Sequence, residues 1–220
     1  MRIEKIITLE GVDSTNTYIQ RKDLPDNTLV RALSQTAGKG RMGRSFLSPE
    51  GGLYFSFIFT PKNKALVTVA AALAVAECIP GSVIKWPNDI LINGKKVCGI
   101  LCAGNSLNGR VIVGIGINVN KAPIEGSCFT GGDAEELFKR VVGSIERVYT
   151  LLDSHPDTLL SLYDARLSTK NVTVRVQSGG NIITGRAQGI NGLGELMVLE
   201  GNKLHCINSG EATIIKEDKK

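Results

Sequence analysis

Three cations fall within six residues of a glycine-rich stretch, Gly38-Lys39-Gly40-Arg41-Met42-Gly43-Arg44. Glycines let the backbone come close to a ligand and expose successive N–H groups. Lys39 and Arg41 point to one side if the stretch is extended. That makes a cradle for phosphate and carboxylate oxygens; the plainer alternative is a solvated basic turn. The run also spells G-x-G-x-x-G, but a dinucleotide site needs it to open a helix and needs an acidic residue about 20 positions on. Residues 45–52 carry Pro49, Gly51 and Gly52 and cannot form that helix. No Gly-Lys-Ser/Thr occurs, so a phosphate loop of the Walker type is excluded as well.

Further groups have chemical capacity. Lys85-Trp86-Pro87-Asn88-Asp89 places the only tryptophan between a cation and an amide–carboxylate pair. Pro87 fixes φ and keeps Trp86 extended, so these side chains have set directions. Asn88 offers a donor and an acceptor, and Asp89 an acceptor or a base; a strand-to-turn corner with Trp86 as core is the alternative. Lys96 opens an apolar stretch, and period 2 gives it the face of Cys98 and Ile100. An inward lysine there requires an anion partner; otherwise it is an exposed hairpin lysine. Gly114-Ile115-Gly116-Ile117-Asn118 puts two glycines inside an apolar strand, which marks a bulge or close backbone approach, with Asn118 as a ligand amide or a strand-end cap. Asp13-Ser14-Thr15-Asn16 reads as a helix cap whose hydroxyls and amide can also meet a polar ligand.

The elements that must position these groups alternate over the first two thirds. Strands are expected over 3–9, 29–35, 53–60 and 83–86, and a short helix runs from Ser14 and Thr15 to about Lys22. Residues 65–77 are apolar nearly all round and read as a buried helix. Residues 90–103 read as a hairpin turned at Asn93-Gly94, the type I′ signature. Asn108-Gly109 turns the chain again, and 111–119 returns as a strand. Residues 133–152 form an amphipathic helix with Leu137, Val141, Val142, Ile145, Val148 and Leu152 on one face, and 156–167 a second helix with Leu159, Leu160 and Tyr163 inward. From Asn171 on, five short strands separated by glycine turns predict a small β-barrel or sandwich.

Composition bounds the classes. The 220 residues are 42% apolar and 21% charged, which excludes disorder over most of the length. The longest charge-free apolar stretch, 65–76, is short of the roughly 20 residues a bilayer span needs, and no apolar signal core follows Met1. Five cysteines and two histidines form no Cys-x-x-Cys pair. They read as buried small hydrophobes in a reducing cytoplasm, without a structural zinc site. The net charge of +5 suits nucleic acid, an anionic small molecule or an acidic partner; part of it lies in the 216–220 tail, expected to be a solvated terminus.

The order of these groups is specific. Asp13-Ser14-Thr15-Asn16, the 35–44 loop, Lys85-Trp86-Pro87-Asn88-Asp89-Ile90, Lys96-Val97-Cys98-Gly99-Ile100-Leu101 and Gly114-Ile115-Gly116-Ile117-Asn118-Val119 together strongly resemble the biotin protein ligases. The resemblance covers about residues 7–120 by motif and extends loosely to the end. It implies an α/β (α+β) catalytic domain, residues 1–168, with a mixed β-sheet and helices on one face, and a small C-terminal all-β barrel over 169–220. It also implies an ATP-dependent, two-step reaction: biotin's carboxylate attacks the α-phosphate, and the biotinyl-5′-AMP then acylates a lysine of a biotin carboxyl carrier protein. Mg²⁺ accompanies ATP; its ligands are not legible.

By the same resemblance biotin lies against Ser14, Thr15, Asn16, Gln35, Gly38, Lys39, Gly40, Arg41, Lys96 and Gly99, and the nucleotide near Arg44, Phe46, Lys85, Asn88, Lys96 and Asn118. Arg41, Lys96 and Asp89 are the candidate catalytic residues, Asp89 to orient or deprotonate the acceptor lysine. The basic loop is expected to act as a lid. Two positions depart from the family pattern: Lys39 stands for an arginine, losing a bidentate fork, and Phe46 for a tryptophan, losing an indole N–H. Family members are often dimers. The pattern begins at about residue 7, so no N-terminal DNA-binding domain is expected. The rivals are a lipoate–protein ligase, whose Arg-Arg-x-Ser-Gly-Gly-Gly signature is missing, a nucleic-acid-binding module, and a biotin sensor without turnover. Residues 171–220 hold no Phe, Tyr or Trp to stack on bases.

Overall fold

The computed structural model describes residues 1–104 and 109–215. Asn108 of the expected second turn and the 216–220 tail lie outside the described residues. Seven strands make one sheet: β1 (Lys5–Val12), β2 (Thr28–Gln35), β3 (Leu53–Phe59), β4 (Ser82–Lys85), β5 (Asp89–Ile92), β6 (Lys95–Gly104) and β7 (Val111–Ile117). Their order is β1-β2-β3-β7-β6-β5-β4. Only β1 and β2 are parallel; the other neighbours are antiparallel, so the sheet is mixed.

Strict alternation in the central strands decides what each face carries. Phe55, Phe57 and Phe59 of β3 and Val113, Ile115 and Ile117 of β7 enter the main core. There they meet the alanine-rich helix α2 (Val67–Ala76) and the long helix α3 (Ala134–Ser154), which is capped by Asp133. Tyr149 of α3 packs edge-on against Phe57 and Phe59, and its hydroxyl donates to the carbonyl of Val67 at 3.0 Å. Helix α4 (Pro156–Asp164) closes this layer with Leu159 and Tyr163.

The other face carries helix α1 (Thr15–Lys22). Ile19 of α1 meets Val30, Ile58 and Ile112 in a second, smaller core. The helices therefore cover both faces of the sheet, not one as expected. A short helix with a single stripe centred on Ile19 suffices for that, because β2, β3 and β7 each present one aliphatic side chain between the positions that feed the main core. Since α1 covers only part of this face, the rest of it stays open.

From Thr173 the chain forms five antiparallel strands, β8 (Thr173–Ser178), β9 (Asn181–Ile190), β10 (Leu196–Glu200), β11 (Lys203–Ile207) and β12 (Glu211–Ile214). They run in the order β11-β10-β9-β8-β12, and among the described residues no ladder joins β11 to β12. The small all-β unit is thus a five-stranded sheet with two edges. The segment leading into it seals the outer edge of β4: Ile84 N–H donates to the carbonyl of Arg166, and Ser168 N–H to that of Ile84. The cysteine expectation holds for Cys78 and Cys98, which are buried, and fails for Cys206, which faces solvent on β11.

Candidate functional site

A cleft of about 430 Å³ opens on the α1 face of the sheet. Its floor is the backbone of β6 and β7 where Gly99 pairs with Gly116. No side chain rises from that pair, and the Phe46 ring lies on it instead. A methyl added at Gly116 falls 2.8 Å from Phe46 Cζ, and one at Gly99 falls 3.0 Å from Cε2. One step along β7, Gly114 leaves room for the Asn16 amide.

Neutral polar groups make the end of the cleft near Gly114. Ser14 caps α1, accepting from Thr17 N–H. The Thr15 hydroxyl lies 2.7 Å from that of Ser56, and Gln35 Oε1 accepts from Thr15 N–H at 2.9 Å. Gln35 Nε2 in turn donates to Ser48, whose hydroxyl donates to the carbonyl of Phe46, so the amide also sets the loop. Asn16 is 6% exposed, and its Oδ1 has no partner among the described residues. An orphaned buried carbonyl oxygen is costly unless a ligand donor meets it.

Charged groups make the other end. Asn93 (φ 50°) and Gly94 (φ 75°) form the expected tight turn between β5 and β6. Beyond it the β5–β6 register slips: Cys98 faces Ile90, but Lys96 faces Leu91, leaving Val97 as the extra residue of a bulge. The bulge overturns the period-2 expectation. Val97 and Cys98 both enter the core, and Lys96 turns to the cleft, on the face of Gly99. The expected anion partner is present, since Lys96 Nζ lies 2.7 Å from Asp89 Oδ1. It also stands 5.9 Å from the centre of the Phe46 ring.

The glycine-rich loop is a small hairpin, not an extended cradle. Phe46 N–H donates to Gly38 O and Gly40 N–H to Arg44 O, and a tight turn with positive φ at Met42 and Gly43 is closed by Arg44 N–H to Arg41 O. Lys39, Arg41 and Arg44 still reach the cleft. Arg41 Nη1 bridges Asn88 Oδ1 at 3.2 Å and the carbonyl of Gly210 at 3.1 Å. Arg44 pairs with Glu211. The five-stranded unit therefore holds the tip of the loop. Partial burial pulls the Arg41 guanidinium below its ordinary value, opposed by the charge of Asp89.

Of the residues singled out in the sequence, Ser14, Thr15, Asn16, Gln35, Lys39, Gly40 and Arg41 converge here, as do Arg44, Phe46, Lys85, Asn88, Asp89, Lys96 and Gly99. Gly38 and Asn118 do not line the cleft. Gly38 is where the loop backbone presses closest: a side chain there would fall 2.7 Å from the Ser48 hydroxyl. Asn118 is buried, its Nδ2 donating to the carbonyl of Cys128, so it ties down the 128–130 turn. Trp86 is core, and its indole N–H donates to the carbonyl of Gly194. Sequence reasoning missed Ser56 and Glu211. Ser56 had a signal, the lone serine in the apolar strand Leu53–Phe59; Glu211 had none, because only the fold brings it to Arg44.

The arrangement suits a ligand with a neutral hydrogen-bonding end and an anionic end. A family model described as the biotin/lipoate A/B protein ligase family matches residues 9–120, which is half of the chain. This chain belongs to that family. A second model, the biotin protein ligase C terminal domain, matches residues 170–213. The bifunctional ligase/repressor BirA of Bacillus subtilis is 43% identical over 128 residues, 52% of this chain and 39% of that protein. A biotin--[acetyl-CoA-carboxylase] ligase of Paracoccus denitrificans is 36% identical over 139 residues, 56% of this chain and 58% of that protein. The matched segments thus span less than two thirds of these relatives. Among solved structures, the biotin protein ligase of Aquifex aeolicus in complex with biotin and ATP superposes with a TM-score of 0.85 at 29% identity, covering 97% of this chain and all of that one.

Proposed function

We propose that the protein is a biotin ligase that activates biotin as biotinyl-5′-AMP and passes the biotinyl group to a lysine of a biotin carboxyl carrier protein. The observation that carries this is the polarity of one cleft. Hydroxyls and amides of Thr15, Asn16, Gln35 and Ser56 cluster near Gly114, and the cations Lys39, Arg41 and Lys96 line the same cleft, Lys96 5.9 Å from the Phe46 ring. Biotin has the same polarity, with a neutral cyclic urea at one end and a carboxylate at the other. The urea carbonyl accepts from hydroxyls, and its N–H groups suit the orphaned Asn16 Oδ1.

In the first step a carboxylate oxygen attacks the α-phosphorus, the P–O bond to pyrophosphate breaks, and no proton need move. Two anions are brought together and negative charge grows on the phosphoryl and leaving groups. Arg41 and Lys96 line the cleft and are our assignment for the cations that screen that charge; fixed cations in a partly desolvated site do so without reorganising. In the second step the lysine amine attacks the acyl carbon, the C–O bond to phosphate breaks and AMP leaves. The amine must be neutral to attack, and Asp89, a cleft carboxylate ion-paired with Lys96, is our assignment for the group that takes its proton.

Magnesium belongs to the substrate, carried on the triphosphate, where it neutralises phosphate charge. The residues fit that role. Among the described residues the cleft has two carboxylates, Asp89 and Glu211, that would stand beside a metal carried on the triphosphate. One or two carboxylates with substrate phosphates is the usual magnesium environment. Among the described residues no helix is long and apolar enough to cross a membrane, and the free thiols fit a reducing cytoplasm.

The test is ATP–pyrophosphate exchange with no acid, with biotin and with lipoate. Exchange with biotin alone is expected. Exchange with lipoate moves the assignment to lipoate ligation, and exchange with neither in a folded, biotin-binding protein leaves a sensor.

A further inference from the structure

Behind the reaction cleft lies a second one of about 350 Å³. The two share Arg41, Trp86, Pro87, Asn88 and Ile100, and the partition between them is a hydrogen-bonded pair of side chains. Arg41 Nη1 donates to Asn88 Oδ1 (3.2 Å), and Asn88 Nδ2 donates to the carbonyl of Ile100 (2.7 Å). The far wall comes from the start of α2 and from the β9–β10 turn. This turn is fixed: Gly194 N–H donates to Asn191 O, Gly194 O accepts from Trp86, and a methyl on Gly194 would fall 2.9 Å from Val69 Cγ2.

The lining chemistry differs from that of the reaction cleft. Val69, Ile100, Leu193 and the Trp86 ring are apolar, and Glu195 is the one acidic residue among the described lining residues. Its Oε2 accepts from Asn191 Nδ2 (2.7 Å), which anchors the carboxylate in the turn. Leu193 sits on the tip of the turn, 60% exposed. A nucleotide or pyrophosphate is repelled by the carboxylate and finds only Arg41 as a cation here. A lysine side chain fits: its methylenes lie along apolar surface while its ammonium meets a carboxylate.

We propose that this second cleft is the acceptor subsite, through which the carrier's lysine reaches the acyl carbon past the Arg41–Asn88 pair. The proposal rests on the ligase reading. It also accounts for how the amine becomes reactive. The ammonium is attracted at Glu195, its charge is then disfavoured as it leaves water and nears Arg41, and its proton passes to Asp89 on the reaction-cleft side. Neutralisation thus happens where the nucleophile is needed.

The experiment separates the two half-reactions. Biotin-dependent ATP–pyrophosphate exchange is measured without carrier, and transfer is measured from chemically prepared biotinyl-5′-AMP to a carrier domain. Leu193 is exposed, so both Leu193→Arg and Leu193→Glu should fold, and both should keep exchange intact. Leu193→Arg is expected to raise the KM for carrier about tenfold, because a like charge now faces the incoming ammonium. Leu193→Glu is expected not to raise it, and Glu195→Gln is expected to raise it with kcat little changed. A rise in both Leu193 variants, or in neither, overturns the acceptor subsite while leaving the ligase reading standing. Loss of exchange in the unaltered protein overturns the ligase reading and this one with it.

Discussion

The ring of Phe46 rests on the α-carbon of Gly116, close enough that a methyl there would lie 2.8 Å from Cζ. The loop residue and the strand residue thus fit only because one has no side chain. Gly116→Ala should push the ring off the floor and narrow the cleft. Overpacking of this kind costs roughly 1–3 kcal/mol where the neighbour cannot yield. Phe46 sits on a loop, so the cost should appear in ligand binding more than in melting. Weaker biotin and ATP binding by calorimetry is expected, with part of it restored by adding Phe46→Ala. Unchanged binding in Gly116→Ala would place the ligand elsewhere.

Lys96 and Asp89 are a 2.7 Å ion pair at the charged end of the same floor. Lys96→Met keeps the stem and deletes the charge. The adenylation rate should fall about 10²–10³-fold, the cost of removing one preorganised electrostatic donor. KM for biotin should move less, because the developing charge is what the lysine meets. Single-turnover formation of biotinyl-5′-AMP checks this, and a near-normal rate would remove Lys96 from the catalytic set.

Lys96 also shows where a sequence stops being informative. Local chemistry carried the Asn93-Gly94 turn, the Ser14 cap, the buried helix expected over 65–77 and found over 67–76, and the strand boundaries to within a few residues, because each depends on its own neighbours. The face that Lys96 occupies depends on how β6 registers against β5. A one-residue bulge reverses it, and no residue type announces that bulge. For the same reason the placement of α1 on the second face could not be read from Ile19 alone, since three strands from distant parts of the chain complete its core. Glu211 is the extreme case, 167 residues from the arginine it pairs with.

That pair joins the five-stranded unit to the basic loop. Arg44 and Glu211 are both more than half exposed, so the bridge contributes about 0–1 kcal/mol to stability and is screened by salt. It ties down a loop that lines the cleft and that we propose acts as its lid. Glu211→Gln is expected to melt within about 1 kcal/mol of the parent. It should also release several-fold more free biotinyl-5′-AMP when no acceptor is present, since a loosened lid admits water and lets the adenylate escape. The excess should fade as salt rises, when the parent's own bridge is screened. Equal release at low salt would show that the Arg41 bonds to Asn88 and Gly210 hold the loop unaided.

Cys102 lines the second cleft, which shares Arg41 and Asn88 with the cleft proposed to form the acyl phosphate. A thiolate there would compete with the acceptor amine for the acyl group. Burial prevents this, pushing the Cys102 thiol up to about 11 against the smaller, opposite pulls of the Thr68 hydroxyl and Arg41. At pH 8 only about one molecule in a thousand then carries the nucleophilic thiolate. Because the neutral form predominates below the raised value, alkylation should accelerate about tenfold per pH unit from 8 and level off near 11. Cys206 is exposed and should label first. Pulsed iodoacetamide with peptide mass spectrometry reads both sites in one sample. Cys102 labelling at pH 8 as fast as Cys206 would mean that the cleft is wetter and more open than its packing shows, with the thiol free to intercept the adenylate.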